Sequence, residues 1–410
     1  MMQSVKARAF NILLIRIIKI GQSILTFFIM AGLIDKSEFG YYAFCYSIAL
    51  SMVVLSYFGS EQYGLKTLAK SHLFVGRLLC TKLTFSIVFV AIFICSSSYL
   101  FPDVSAFFVV CLSVFILFNF ELLIFNYFNV LNRLDLLVKN ITITFLITSG
   151  IKFYSLWLGN SEALYFSMAL DSIIPFILFY IIAINSNHLS FRKSTLSKFH
   201  SFFKKHQLKL FLLFLSTLLI QINIRVDSYF VSVYLGGKEL SIYSMALKFN
   251  EVFAVLVSSN IALYSPSFYR SQSVLGLVGI ARKILIVTFS LYVIASASLF
   301  LMFDFVNDLL LFGEYYESKR IILILFVGTF FSGVSTIISM WYIYNGREAS
   351  KTKRVLISLL INITLSYFLI PRFGVVGAAF VNLVINFTLA VILNSNVKEL
   401  RGFFKEILCR

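Results

Sequence analysis

Charge is scarce in this chain. Charged residues fill 13% of its 410 positions while 60% are hydrophobic, against ~25% and ~45–50% in soluble domains. That deficit excludes a soluble globular protein and implies an integral membrane protein. The net charge of +17 would suit nucleic acid, but no basic stretch is long enough to form a soluble binding domain, so nucleic acid is not an expected partner. Cysteine pairing is lacking too. Cys45, Cys80, Cys95, Cys111 and Cys409 show no paired spacing and no histidine beside them in a metal-ligand pattern, so neither a disulfide framework, a metal nor another cofactor is expected. The start, MMQSVKARAFNILLIRIIKIG, has the basic-then-apolar order of a signal peptide. Its apolar run is too long and lacks a small-residue cleavage site, which makes it a retained first span.

Apolar windows of about twenty residues mark twelve expected spans. In the first half they lie near 10–33, 41–58, 79–99, 104–127, 138–158 and 164–184, and in the second near 210–235, 241–263, 284–303, 321–345, 354–371 and 375–396. All are expected to be helices, because open strands leave backbone groups unsatisfied in lipid. The loop charges alternate with this count. One side carries Lys6 and Arg8, Lys66 to Lys82, Arg133 and Lys139, Arg192 to Lys209, Arg270 to Lys283, Arg347 to Arg354, and Lys398 to Arg410. The other holds Lys36, Lys238, Lys319, Arg320 and Arg372 among acids such as Asp35, Glu38, Asp304 and Asp308. Both termini are therefore expected to be cytoplasmic.

The loop 185–209 places Leu196, Phe199 and Phe203 at helical spacing among basic residues, as a linker lying on the cytoplasmic leaflet would. It divides the chain into a lobe of residues 1–184 and a lobe of residues 210–410, each with six spans. The halves echo each other. Ser37 to Ala43 aligns with Lys238 to Ser244, each expected in an outer turn, and LGNSEAL at 158 aligns with FGVVGAA at 373; matching turns of this kind imply a parallel repeat.

Charges inside the spans are the candidate functional residues, because an ionisable group facing lipid at mid-depth costs ~2.5–3.5 kcal/mol even on the lenient insertion scale. Helical geometry puts Thr217, Gln221, Arg225, Ser228 and Ser232 on one stripe, with Ser216, Asn223 and Asp227 opposite. In the next span Ser241, Ser244, Lys248, Glu251 and Ser259 share a face, and Lys248 and Glu251 are spaced to pair. Such stripes suit a wetted cavity; interhelical ion pairs are the alternative.

The twelve-span plan, SEFGYYAF at 37, RVDSYFVSVYLGGKELSIYSMALKFNE at 225 and PRFGVVGAAFVN at 371 together resemble the polysaccharide flippases of the O-antigen (Wzx) type, whose superfamily also contains MATE multidrug exporters and the lipid II flippase. The resemblance implies an all-α membrane protein with two six-helix lobes around a central cavity. That cavity opens alternately to each side and moves a polyprenyl-diphosphate-linked oligosaccharide outward across the bacterial inner membrane. Cavity cations would then be Arg225 and Lys248, with Lys152 in the fifth span and Arg16 and Lys19 in the first, since cations suit a diphosphate. Snorkelling to headgroups is the alternative for Arg16 and Lys19. Asp227, Glu251, Asp171 and Glu121 are candidate counter-ions or sites coupling transport to a proton or sodium gradient. Asn362, Asn382 and Asn386 would line a sugar path or bond between helices. Membrane lipids and other proteins of polysaccharide assembly are the implied partners. The rivals are a MATE-type exporter, which would want an acidic, aromatic cavity, and a polymerase or ligase. An enzyme of that kind would need catalytic groups on the outer side, where the longest loop, Asp304 to Arg320, has four acids and no histidine.

Overall fold

The computed structural model describes residues 5–59, 75–100, 104–130, 133–185, 194–270, 274–310, 313–345, 347–394, 402 and 406. Among the described residues the fold is all-helical. The helices are α1 Val5–Leu33, α2 Lys36–Leu55, α3 Val75–Leu100, α4 Ala106–Phe118, α5 Glu121–Val130, α6 Leu134–Leu158 and α7 Ser161–Asn185. They continue as α8 Ser194–Leu235, α9 Gly237–Arg270, α10 Val274–Leu310, α11 Ser318–Tyr344 and α12 Glu348–Ala390. Backbone groups in lipid need partners within their own segment, and helices supply them.

Ten stretches among the described residues are long and apolar enough to cross a membrane. The last, Ala349–Asn394, is 46 residues long and holds two of the expected spans, divided just past Pro371 where Gly374 takes φ 62° and ψ −146°. A side chain is strongly disfavoured at that conformation. The remaining expected span, 210–235, is the C-terminal part of the 42-residue α8, which its polar residues keep less apolar than the others.

The chain forms two compact units, Met1–Gln221 and Ile222–Arg410. Their boundary falls inside α8. Residues 186–193, and the side chains of Leu196, Phe199 and Phe203, lie outside the described residues, as do Lys66, Lys70 and Cys409. In the first unit Tyr42 of α2 packs on Phe108 of α4 and Tyr165 of α7, with ring centroids 4.9 and 5.8 Å away. In the second, Phe253 of α9 packs on Phe326 of α11 at 4.9 Å. Side chains such as Ile87, Trp157, Phe289 and Leu301 stay exposed, an apolar surface that a bilayer covers.

Three details differ from the sequence-based expectation. Ser37 to Ala43 and Lys238 to Ser244 are not turns but the opening turns of α2 and α9. Glu38 and Glu239 sit in those first turns, where the helix dipole favours an acid. The turn between α8 and α9 is Gly236 alone, at φ 83°. The other echo joins two left-handed glycines, Gly159 (φ 64°) after α6 and Gly374 (φ 62°) within α12. Secondly, the supposed outer loop is mostly helix, because α10 runs on to Leu310 and α11 begins at Ser318. Of its acids, Asp304 pairs with Lys319 at 2.7 Å and Asp308 accepts from the Tyr316 hydroxyl. That hydrogen bond is the first cause holding the Tyr316 phenol above its ordinary pKa.

Thirdly, Lys82 is not a loop cation. It lies inside α3, fully buried, and donates to Ser56 Oγ, to Ser86 Oγ at 2.9 Å and to Ile116 O at 3.2 Å. The fourth span breaks at Asn119, whose backbone is extended (φ −76°, ψ 91°), and Phe120 N turns back to Phe118 O. The break removes the donor that Ile116 O would have in a continuous helix, and the ammonium replaces it. The rings of Tyr57 and Phe120 lie 4.9 and 5.7 Å from Nζ.

Candidate functional site

Each unit holds a cluster of the charges singled out inside the expected spans. In the first unit α1 contributes a polar residue on nearly every turn: Arg16, Lys19, Gln22 and Thr26. Lys19 forms an ion pair with Glu121 at the start of α5. Deeper along α1, Gln22 donates to Asp171 Oδ1 of α7 at 2.6 Å and to Thr148 Oγ1 of α6 at 3.3 Å. Lys152, one turn beyond Thr148, donates to Asp171 Oδ2 at 2.7 Å. Lys152 is 0% exposed and Asp171 13%, so this cluster ties α1, α6 and α7 together inside the unit. Arg16 lies one turn before Lys19 and is half-buried.

In the second unit the groups come from α8, α9 and α12. Asp227 is 2% exposed. Its Oδ2 accepts from the Tyr243 hydroxyl of α9, its Oδ1 accepts from Ser228 N at 2.9 Å, and the Asn382 amide of α12 faces it. Arg225, two residues earlier on α8, is half-buried and interacts electrostatically with both Asp227 and Glu251. Lys248, 6% exposed, pairs with the 50% exposed Glu251 at 2.6 Å, the local pairing that the i,i+3 spacing predicts. The cluster thus holds two cations and two carboxylates, with Glu251 its most accessible member. It presents charge at one end and is pinned through Asp227 at the other.

The cations and acids singled out in the sequence therefore turn out to be partners of one another: Lys19 with Glu121, Lys152 with Asp171, Lys248 with Glu251. The asparagines bond between and along helices. Asn362 donates to Asn223 O and Oδ1 at 2.9 Å and accepts from Ser366 at 3.0 Å, joining α12 to α8. Asn386 donates to Asn382 O and Oδ1 at 3.0 Å. Sequence reasoning missed Gln22, Thr148 and Tyr243. Gln22 had a signal, since it continues the α1 stripe three residues after Lys19. Tyr243 had none, being one tyrosine among 21.

No protein-family model matches the sequence, and no curated protein matches it significantly. Solved structures do. An inward-facing MATE-family multidrug resistance transporter of the MOP superfamily matches with a TM-score of 0.63 at 12% identity, covering 94% of this chain and 95% of that one. The lipid II flippase MurJ in an inward closed conformation gives 0.63 at 20% identity, covering 94% and 90%. The eukaryotic MATE transporter AtDTX14 gives 0.65 at 11%, covering 97% and 95%. The chain therefore has the twelve-span fold of these proteins.

Proposed function

We propose that this chain is a flippase that carries a polyprenyl-diphosphate-linked oligosaccharide, an O-antigen or similar repeat unit, from the cytoplasmic to the outer leaflet of a bacterial inner membrane by alternating access. The observation that carries the reading is the pair of cations Arg225 and Lys248 on the consecutive helices α8 and α9, within apolar segments and beside a cluster anchored by Asp227. A diphosphate brings roughly two negative charges into a medium where an unpaired ion is costly, and charge-assisted hydrogen bonds from a guanidinium and an ammonium offset part of that cost. The shared fold with a lipid II flippase supports a lipid-linked cargo. In this reading the lobes are residues 1–184 and 210–410, joined by the basic linker 185–209, with both termini cytoplasmic.

Export of small organic cations is the competing reading, because MATE multidrug transporters share the fold. Proteoliposomes containing the full chain discriminate between the two. The flippase moves a fluorescent polyprenyl-diphosphate-linked oligosaccharide between leaflets, seen as altered accessibility to an impermeant glycosidase, and leaves ethidium gradients untouched. Ethidium transport without movement of the lipid-linked sugar would overturn the proposal.

Asp227 is the carboxylate we assign to coupling, since it lies at mid-span among a tyrosine hydroxyl, a backbone amide and an asparagine amide, a setting able to exchange a bound cation or proton. Asp227→Asn is expected to keep substrate binding and to lose the acceleration that an imposed proton or sodium gradient gives. Undiminished gradient-driven transport by this variant leaves Asp227 a packing role only.

A further inference from the structure

The break in the fourth crossing has no local cause. Helices kink at proline, at glycine or serine pairs, or where a side chain enters the hydrogen-bond ladder, and the stretch FILFNFELL at 115 holds no proline, glycine or serine. Phe118 O and Asn119 Oδ1 take the amides of Phe120 and Glu121, but two freed carbonyls and an amide are met from outside α4 and α5. Lys82 of α3 takes Ile116 O at 3.2 Å, which would accept from Phe120 N in a continuous helix. Tyr57, just past the end of α2, serves both edges of the gap. Its hydroxyl donates to Asn119 O at 3.3 Å and accepts from Leu122 N at 3.2 Å.

Both holders are poised to release. The acceptors of Lys82 are two hydroxyls and a carbonyl, all neutral, so its ammonium is buried without a carboxylate partner among the described residues. Such a charge is costly to bury, which keeps the broken form from being far more stable than a helix running straight through. Beside Tyr57, Phe58 takes φ 46°, a conformation that sterics disfavour for a bulky residue. Its ring stacks on Phe85 of α3 at 3.9 Å and on Phe214 of α8 at 4.6 Å. Backbone strain of this kind gathers at switch regions. Beyond the break, α5 begins with Glu121, the partner of Lys19 on α1. Winding the gap into helix would turn α5 about its axis and carry Glu121 away from Lys19.

We propose that the fourth crossing is a two-state joint. It is broken at Asn119 while Lys82 and Tyr57 hold the freed groups, and continuous from Ala106 to Val130 when they let go, the exchange moving α5 and its Lys19 contact during alternating access. The proposal rests on the alternating access of the reading above and not on which cargo is carried.

The test uses the full chain in nanodiscs, with its five cysteines replaced by serine and spin labels at Val110 and Asn129, on either side of the break. Electron–electron double resonance is expected to show two distance populations. Lys82→Met leaves Phe120 N as the partner of Ile116 O and is expected to collapse them to one, at the ~28 Å Cα separation that ~1.5 Å per residue gives a continuous helix. Tyr57→Phe is expected to shift the balance the same way without abolishing the second population, and it carries the test if Lys82→Met does not fold. Adding Phe120→Pro to Lys82→Met removes the amide that closes the helix and is expected to restore the other population alone. Transport of whichever probe the unaltered chain carries, lipid-linked oligosaccharide or ethidium, is expected to fall at least tenfold in both locked chains. One population shared by the unaltered chain and Lys82→Met would make the break a fixed kink and overturn the proposal, as would unaltered populations in Tyr57→Phe or full transport by either locked chain. The distances need no cargo, so the joint can fail while the flippase reading stands, and ethidium transport alone would bring down that reading while leaving the joint.

Discussion

An Arg225→Gln, Lys248→Gln double variant is expected to lose translocation of lipid-linked oligosaccharide by roughly a hundredfold or more. Truncating one partner of a buried, hydrogen-bonded charge pair costs ~2–5 kcal/mol, and each ~1.4 kcal/mol is a factor of ten. The effect is compounded by what stays behind. Asp227 and Glu251 offset the two cations in the unaltered chain, so removing both cations turns a neutral cluster into one with two carboxylates, which repels an anionic headgroup. Arg225→Lys is expected to keep partial activity, since an ammonium supplies the charge without the guanidinium fork. The measurement is translocation in vesicles holding equal amounts of folded protein. Normal translocation by the double variant would remove the diphosphate role and leave these residues as structural pairs.

Lys152→Met is expected to destabilise the protein by ~3–5 kcal/mol, the usual cost of stranding one member of a buried ion pair. The lysine is fully buried, and Asp171 would retain only its bond from Gln22. A Lys152→Met, Asp171→Asn double variant is expected to recover most of the loss, because the new amide still accepts from Gln22 and no charge remains unpaired. Thermal unfolding in detergent gives the stabilities, and vesicle translocation gives the function. Recovery of both identifies the pair as the clasp joining α1, α6 and α7. Recovery of stability without transport would instead make Lys152 a contact for the substrate, and a single variant as stable as the unaltered chain would sink the clasp.

Some of this arrangement was legible in advance and some was not. The Lys248–Glu251 pair follows from i,i+3 spacing on one helix. Lys19 with Glu121 and Gln22 with Asp171 join residues about a hundred or more positions apart, and helical periodicity says which way a side chain points but not what meets it. Asp227 was expected on the face opposite Arg225, and it is buried there; that Tyr243 would occupy that face depended on how α9 rests against α8. Hydropathy registered the fourth span and missed its break at Asn119, because unwinding a single turn leaves the apolar content of the window unchanged. Lys82 falls inside the third expected span, 79–99, but reads as one of its flanking charges, because nothing in the sequence marks the carbonyl, freed by that break, that receives its ammonium.

By itself the sequence determined that this chain lies in a membrane, how many times it crosses, and most of the residues that bring charge into the crossings. Each of these depends on local apolar content and on the cost of placing an ion in hydrocarbon, and both are properties of a segment. Tertiary structure alone decided which cation meets which carboxylate on another helix, and where a helix breaks to expose a carbonyl. Those outcomes depend on the register and separation of helices distant in the chain, which packing sets and no single segment encodes.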